Sequence, residues 1–348
     1  MGGLRILFLG GGTGGHLAPA LGLAEALEDR GQETLFLVNG RPTEAPFLEG
    51  RVAHSLFLEG TRLPRMVALV PGILRARNHA KLFRPDIVVA LGGAGSVVSL
   101  GVPARIPRVV LEGNAIPGKA VRLLQFGARA VLTQFPGPAS SLRSGICVGP
   151  LGRKSLKPIP AGEARVRLGL DPSRPTLLVA GGSQGAGALN AFAAGLVPGL
   201  GECGGQILGL VGEGKGEELR EACSKQGITH RILSHCPDMG AAYSAADLAL
   251  VRGGAATIGE LALFRLPSAI VPYPHHRDRQ QFHNASLLGQ GAVVLEEPLA
   301  GEDVSEVLDL FESEGRRETM RAALEDLAPR DGSAKAAGIL EEIASHPA

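Results

Sequence analysis

One pattern occurs twice in this chain and limits the folds open to it: an apolar run, a glycine-rich turn, then an amphipathic run. The first copy, LRILFLGGGTGGHLAPALGLAEAL, covers residues 4–27, and the second, PTLLVAGGSQGAGALNAF, begins at residue 175. Residues 4–9 have the length and flanks of a buried strand. Leu17, Ala20, Leu21, Ala24 and Leu27 recur at helical spacing, which predicts a helix behind the turn. A strand that turns through glycines into a helix N-terminus exposes backbone N–H groups, and such turns favour anions, phosphates above all. Glycines also let a ligand come close without meeting a Cβ.

The turn does not by itself choose a ligand. Gly10, Gly12 and Gly15 satisfy the spacing of a dinucleotide fingerprint, which also wants an acidic residue at the end of the next strand. The next apolar run, ETLFLV, ends in Asn39-Gly40-Arg41 instead. Arg41 keeps an NADP reading open, and a tight strand-to-helix turn without any ligand is the bland alternative.

Between the two copies the chain alternates strand and helix signals. RILFL, ETLFLV, DIVVAL, RVVLE and RAVLT precede a Pro-, Gly- and base-rich stretch at 148–164, and QILGLV, HRILS, DLALV, SAIVP and AVVLE follow the second copy. Apolar strands with helical connections imply parallel sheets covered on both faces. At 348 residues the chain is long for one core. The expected architecture is therefore α/β: two Rossmann-like domains, 1–150 and 151–331, with parallel sheets facing across a cleft. A closing helix at 332–348 is expected to return to the first domain. In such sheets ligands sit beyond the carboxyl ends of the strands.

Composition removes several classes. The formal net charge of +1 gives no case for nucleic acid. Cys147, Cys203, Cys223 and Cys236 show no C-x-x-C pairing, which suggests reduced thiols in a cytoplasmic protein rather than a disulfide frame or a zinc site. No run reaches the ~18 to 20 apolar residues of a transmembrane helix, and no signal peptide is expected before the first strand.

The second half carries the more specific chemistry. DLALV ends in RGGAATIGE, residues 252–260, where a cation, two glycines, a hydroxyl and a carboxylate meet a strand-to-helix junction. Gly253 and Gly254 permit close backbone approach, and the helix behind them offers N–H groups to a diphosphate. Glu260, one turn in, suits a ribose diol, or is simply an exposed glutamate favoured by the helix dipole. PYPHHRDRQQFHNA, residues 272–285, places Gln280 and Gln281 at a helix start, where amides can read sugar hydroxyls. Helix capping by Asp278 with solvated glutamines is the alternative. His275, His276 and Asp278 lack a further ligand group at suitable spacing, so no metal site is expected.

GGTGGH, GGSQGA, RGGAATIGE and HHRDRQQFHNA occur in order at the expected strand ends. Together they resemble the undecaprenyl-diphospho-muramoylpentapeptide β-N-acetylglucosaminyltransferase family, two-domain (GT-B type) enzymes of peptidoglycan synthesis, over essentially the whole chain. The resemblance implies a UDP-N-acetylglucosamine donor held mainly by the C-terminal domain, with no cofactor. Carried over by position, Ser183 and Gln184 lie beside the donor, and Arg252 opens the donor segment Ala255, Ala256, Thr257, Ile258, Gly259 and Glu260. Cys236 offers its backbone to uracil, Glu260 takes the ribose, and Gln280 and Gln281 contact the sugar. Thr13, Gly14, Gly15, Asn114 and Arg153 complete the site from the first domain and linker.

The resemblance also implies an acceptor bearing its own diphosphate at the first glycine turn. His16, kept neutral at a helix start, would take the proton from the C4 hydroxyl of a lipid-linked muramoyl sugar, which inverts the anomeric carbon as UDP leaves. Donors around Ser183 and Arg252 would stabilise the leaving diphosphate. Glu112 is the rival base, and a merely structural His16 is the bland reading. The chain departs from the family pattern at Leu111 and Gly113 in LEGN, at Gly253, and in GGAGSVVSLG, which lacks an aromatic.

A lipid-linked acceptor implies the cytoplasmic face of the plasma membrane, met peripherally. Residues 62–84 hold Arg62, Arg65, Arg75, Arg77, Lys81 and Arg84 without one acidic residue. Leu63, Met66, Val67, Leu69, Val70, Ile73 and Leu74 are interleaved, which suits an anionic membrane surface or else a core helix with a solvated basic face. Another two-domain UDP-sugar transferase, acting on a glycolipid or natural product, and a non-catalytic nucleotide-sugar-binding subunit remain the alternatives.

Overall fold

The computed structural model describes residues 3–11, 14–56, 65–182, 186–327 and 331–346. It divides into two compact units, Met1–Arg153 with Ala328–Ala348, and Lys154–Leu327.

The first unit holds strands β1 (Arg5–Leu9), β2 (Glu33–Val38), β3 (Ala53–Ser55), β4 (Ile87–Ala90), β5 (Arg108–Glu112), β6 (Ala130–Thr133) and β7 (Gly145–Cys147). They form a parallel sheet in the order β3-β2-β1-β4-β5-β6-β7. Leu9 pairs with Leu37 on one side and Ala90 on the other, so β1 and β4 end side by side where the strand order reverses. That reversal opens a crevice at the carboxyl edge, the usual ligand position in such sheets.

The Gly14–Glu28 helix follows β1. Leu17, Ala20, Leu21, Ala24 and Leu27, the residues whose spacing predicts it, all enter one core cluster with Phe8 and Phe36. Those two rings stack with centroids 4.6 Å apart. The Gly332–Ser345 helix adds Ala336, Ala337 and Leu340 to the same cluster, and Ser333 Oγ donates to the Gly152 carbonyl at 3.1 Å. Leu151 is buried in this core, which carries the first unit a few residues past the glycine-proline pair at 149–150.

The second unit holds β8 (Thr176–Ala180), β9 (Gln206–Leu210), β10 (His230–Leu233), β11 (Leu248–Val251), β12 (Ser268–Ile270) and β13 (Ala292–Val294). Its sheet is parallel in the order β10-β9-β8-β11-β12-β13, so the order reverses between β8 and β11. Val251 pairs with Ala180. The second glycine turn and the RGG segment therefore leave the sheet side by side. The eleven strands expected from sequence are present. The structure adds β3 and β7 among the described residues, three-residue strands at the sheet edges whose side chains are half-buried or exposed.

Candidate functional site

In the first unit, the crevice at the β1–β4 reversal is lined from three strand ends. Gly14, Gly15 and His16 open the helix after β1, whereas Thr13 lies outside the described residues. Gly92 and Gly93 leave β4 with φ of +74° and +67°, a conformation that favours glycine. A Cβ at Gly92 would stand 3.4 Å from His16 Cδ2, and one at Gly93 3.4 Å from His16 Cε1. The two glycines thus form a backbone floor on which the imidazole lies. Sequence reading treats GGAGSVVSLG only as lacking an aromatic; its first two glycines seat the candidate base.

The imidazole is held below its ordinary pKa, first by burial and second by the nearby Arg41 charge. The neutral ring is the outcome expected from sequence, but burial, rather than the helix terminus, is its leading cause.

Glu112 ends β5 at 4% exposure, and its carboxylate is engaged in folding the loop that follows. Oε1 accepts the backbone N–H and the side-chain amide of Asn114, each at 2.9 Å, and Oε2 accepts the Gly118 N–H at 2.9 Å. Burial pushes its pKa up, and these hydrogen bonds pull against that rise. These contacts tie the Glu112 carboxylate to the loop at 114–118. Arg153 stands with its guanidinium 5.8 Å from the Phe47 ring centroid.

In the second unit, Ser183 and Gln184 lie outside the described residues. Gly254 precedes the Ala255–Phe264 helix, whose first turn carries Ala255, Ala256 and Thr257, with Ile258 and Gly259 buried behind it. Glu260 accepts the Tyr243 phenol at 2.7 Å. Cys236 Sγ donates to the Asp238 carbonyl at 3.2 Å, and Asp238 caps the Met239–Ala245 helix by accepting the Ala241 N–H.

Arg252, at the end of β11, has protein partners that the sequence pattern does not announce. Its Nη1 donates to the carbonyls of Val271 and Pro272 at 3.0 and 3.2 Å and stands 2.6 Å from Glu297 Oε1. With the side chain only 11% exposed, it braces the ends of β11 and β12 against the segment after β13. Its Nη1 contacts thus frame the loop beside the Ala255–Phe264 helix.

Gln280 and Gln281 open the Gln280–Ser286 helix, as their pattern predicts. Gln281 Oε1 accepts the Tyr273 N–H at 2.9 Å, which fixes the amide orientation and presents its NH2 as a donor. Arg279, just before, holds a left-handed φ of +46°, a strain of the kind concentrated at ligand sites. Asn284, unremarked in the sequence, is buried and donates to the Gly253 carbonyl at 3.1 Å, tying this helix to the RGG turn.

That tie explains a departure from the family pattern. A Cβ at Gly253 would lie 2.3 Å from the Gln281 carbonyl oxygen, so the helix bearing both glutamines rests directly on the glycine Cα. Gly253→Ser, which restores the family's hydroxyl, is therefore expected to destabilise the second unit by about 1 to 3 kcal/mol through overpacking. It should weaken nucleotide-sugar binding as the glutamines shift. Chemical denaturation and equilibrium titration read both effects, and a stable variant with tighter binding would refute the packing argument.

Among the described residues no group of three or more His, Cys, Asp and Glu side chains stands together to hold a metal ion. His275 and His276 instead meet Tyr273 edge-on, at centroid distances of 5.3 and 5.1 Å.

Comparison with known proteins agrees with this layout. Residues 6–133 match the glycosyltransferase family 28 N-terminal domain and residues 176–336 the glycosyltransferase family 28 C-terminal domain. A Geobacter sulfurreducens relative is 33% identical over 357 aligned positions, covering 95% of this chain and 96% of its own. It is named UDP-N-acetylglucosamine–N-acetylmuramyl-(pentapeptide) pyrophosphoryl-undecaprenol N-acetylglucosamine transferase. The crystal structure of Acinetobacter baumannii MurG superposes with a TM-score of 0.75 at 22% identity, covering 97% of this chain and 99% of that one. The Streptomyces nogalater glycosyltransferase SnogD reaches a TM-score of 0.66 at 19% identity, over 98% and 99%. At those identities the two structures speak for the fold alone.

Proposed function

The chain belongs to glycosyltransferase family 28, and from that premise we propose that it transfers N-acetylglucosamine from UDP-N-acetylglucosamine to undecaprenyl-diphospho-muramoylpentapeptide in peptidoglycan synthesis. The single observation that carries this reading is one-third identity to relatives of that activity across nearly the full length of both chains. The reaction is an inverting hexosyl transfer: the C4 hydroxyl of the muramoyl sugar attacks the donor's anomeric carbon, and UDP leaves.

The residues divide the work. The first-unit crevice takes the acceptor, with His16 as the base that receives the hydroxyl proton. The second unit takes the donor: backbone N–H groups at the start of the Ala255–Phe264 helix meet the diphosphate, Glu260 the ribose diol, and Gln280 and Gln281 the sugar. Glu260→Ala is expected to weaken UDP binding about tenfold, as for a lost hydrogen bond to a charged group. Gln281→Ala should lose discrimination between N-acetylglucosamine and its C4 epimer while keeping UDP affinity. Titration with UDP and both nucleotide sugars checks each, and wild-type behaviour in both variants would remove these assignments.

The membrane is met through the Arg65–Phe83 helix and its flanks. Arg62 and Leu63 lie outside the described residues, and the side chains of Arg65, Met66 and Val67 are likewise not described. Of the remainder, Leu69 and Ile73 pack onto the core, while Val70, Leu74 and Leu82 are 60%, 56% and 80% exposed. Val70, Leu74, Arg77 and Lys81 follow one another at helical spacing on an exposed face. Apolar side chains beside cations suit an anionic leaflet, at about 1 kcal/mol per basic residue. Arg75 is the exception, since its guanidinium donates to the Ser55 carbonyl at 3.3 Å. No helix among the described residues is long and apolar enough to cross a membrane.

Sedimentation with vesicles checks this face. Binding should require anionic lipid, weaken in high salt, and fall in a variant with Arg77, Lys81 and Arg84 changed to glutamate. Equal binding to neutral vesicles would leave the patch without this role.

The reaction itself is tested with donor labelled in the sugar and the lipid-linked muramoylpentapeptide. Label should enter the lipid fraction and depend on the muramoyl acceptor. Transfer only to an unrelated glycolipid or aglycone would favour another transferase of the same fold.

A further inference from the structure

We infer that Tyr243 is a positioning residue for the donor nucleoside, holding the Glu260 carboxylate where the ribose diol meets it; this rests on the ribose reading of Glu260. Tyr243 sits on the Met239–Ala245 helix at 4% exposure. Its ring is fixed on one side by Phe264, with centroids 5.2 Å apart. Its hydroxyl donates to Glu260 Oε2 at 2.7 Å, within the range of a strong charge-assisted hydrogen bond. Glu260 itself is half-buried. A long carboxylate side chain at such a position has several rotamers, and ordering it on binding costs entropy. The phenol removes that cost in advance, because a buried, packed ring can aim its hydroxyl in few directions.

The helices that carry the two residues have different duties, which gives the contact its meaning. The Ala255–Phe264 helix leaves the RGG turn, the proposed diphosphate end of the site, while the Met239–Ala245 helix begins just after Cys236, the candidate uracil contact. The phenol–carboxylate bond therefore couples the base end of the nucleoside site to its ribose end. Tyr243 touches no reacting atom, so its contribution belongs to donor affinity and not to the chemical step.

The test compares UDP with 2′,3′-dideoxy-UDP, which lacks the ribose diol, in the full-length protein. Tyr243→Phe keeps the ring and removes only the hydroxyl. It is expected to raise the Kd for UDP about five- to tenfold, leave the Kd for the dideoxy analogue unchanged, and raise the donor KM with kcat unaltered. In a Glu260→Ala background the same substitution should cost nothing further. An equal loss for UDP and the analogue, or a fall in kcat at constant KM, would mark a merely structural role and overturn the inference. Unchanged UDP affinity in Tyr243→Phe beside a weakened Glu260→Ala would also overturn it while sparing the ribose reading. Wild-type UDP affinity in Glu260→Ala would remove that reading and this inference with it.

Discussion

Replacing His16 by alanine is expected to lower turnover at least ~100-fold, the lower end of what general base catalysis contributes, and to leave UDP affinity unchanged. Most of the donor residues belong to the second unit, so the loss should fall on kcat. The pH profile adds an independent check. Burial and Arg41 hold the imidazole below its ordinary pKa, which is about 6.5, and the neutral ring is the active form. Wild-type turnover should therefore persist as pH falls through that value and decline only below it, as the imidazolium forms. His16→Ala should lose this acid limb along with the rate. If Glu112 were the base, the limb would survive in His16→Ala, and Glu112→Gln would be the variant that abolishes turnover. Full activity in His16→Ala would pass the role to Glu112 or to water.

The second large effect is on stability and lies at the opposite edge of the other sheet. Arg165 Nη2 and Asp247 Oδ2 are 2.7 Å apart, with side chains only 10% and 21% exposed. The same carboxylate oxygen accepts the Thr176 N–H at 2.7 Å, while Arg165 also donates to the carbonyls of Ala245 and Pro172 at 3.0 and 3.1 Å. Asp247→Ala strands a mostly buried guanidinium and a backbone amide at the start of β8. Breaking such a pair from one side costs about 3 to 5 kcal/mol. The unfolding transition of the second unit should shift accordingly. UDP affinity of the folded protein should hold, because the donor residues lie at the carboxyl edge. Changing both partners to apolar residues should recover part of the loss. An unchanged transition in Asp247→Ala would show that the pair contributes nothing net.

How much of this is legible in the sequence follows from the range of each signal. Strand–turn–helix copies, apolar spacing and glutamines at a helix start are local patterns, and they place both sheets and most of the candidate residues. β3 and β7 escape because three residues, none of them buried, make no period. The glycine floor under His16 escapes for a different reason: Gly92 and His16 are far apart in sequence and meet only because β4 pairs beside β1. The same holds for Asn284 on Gly253 and Tyr243 on Glu260, polar contacts whose partners lie on separate elements. Arg252 is similar: a cation at a strand end gives no local sign of the Val271 and Pro272 carbonyls and the Glu297 carboxylate that meet its Nη1.

The linkage in the lipid product is the most direct measurement. Wild-type protein is incubated with UDP-N-acetylglucosamine and undecaprenyl-diphospho-muramoylpentapeptide, the disaccharide is released from the lipid, and its anomeric configuration and attachment point are read by NMR. The expected product carries N-acetylglucosamine in β-linkage on the C4 oxygen of the muramoyl sugar, with one UDP released for each bond formed. An α-linkage, attachment at another oxygen, or UDP release with only free N-acetylglucosamine would contradict inverting transfer to that acceptor.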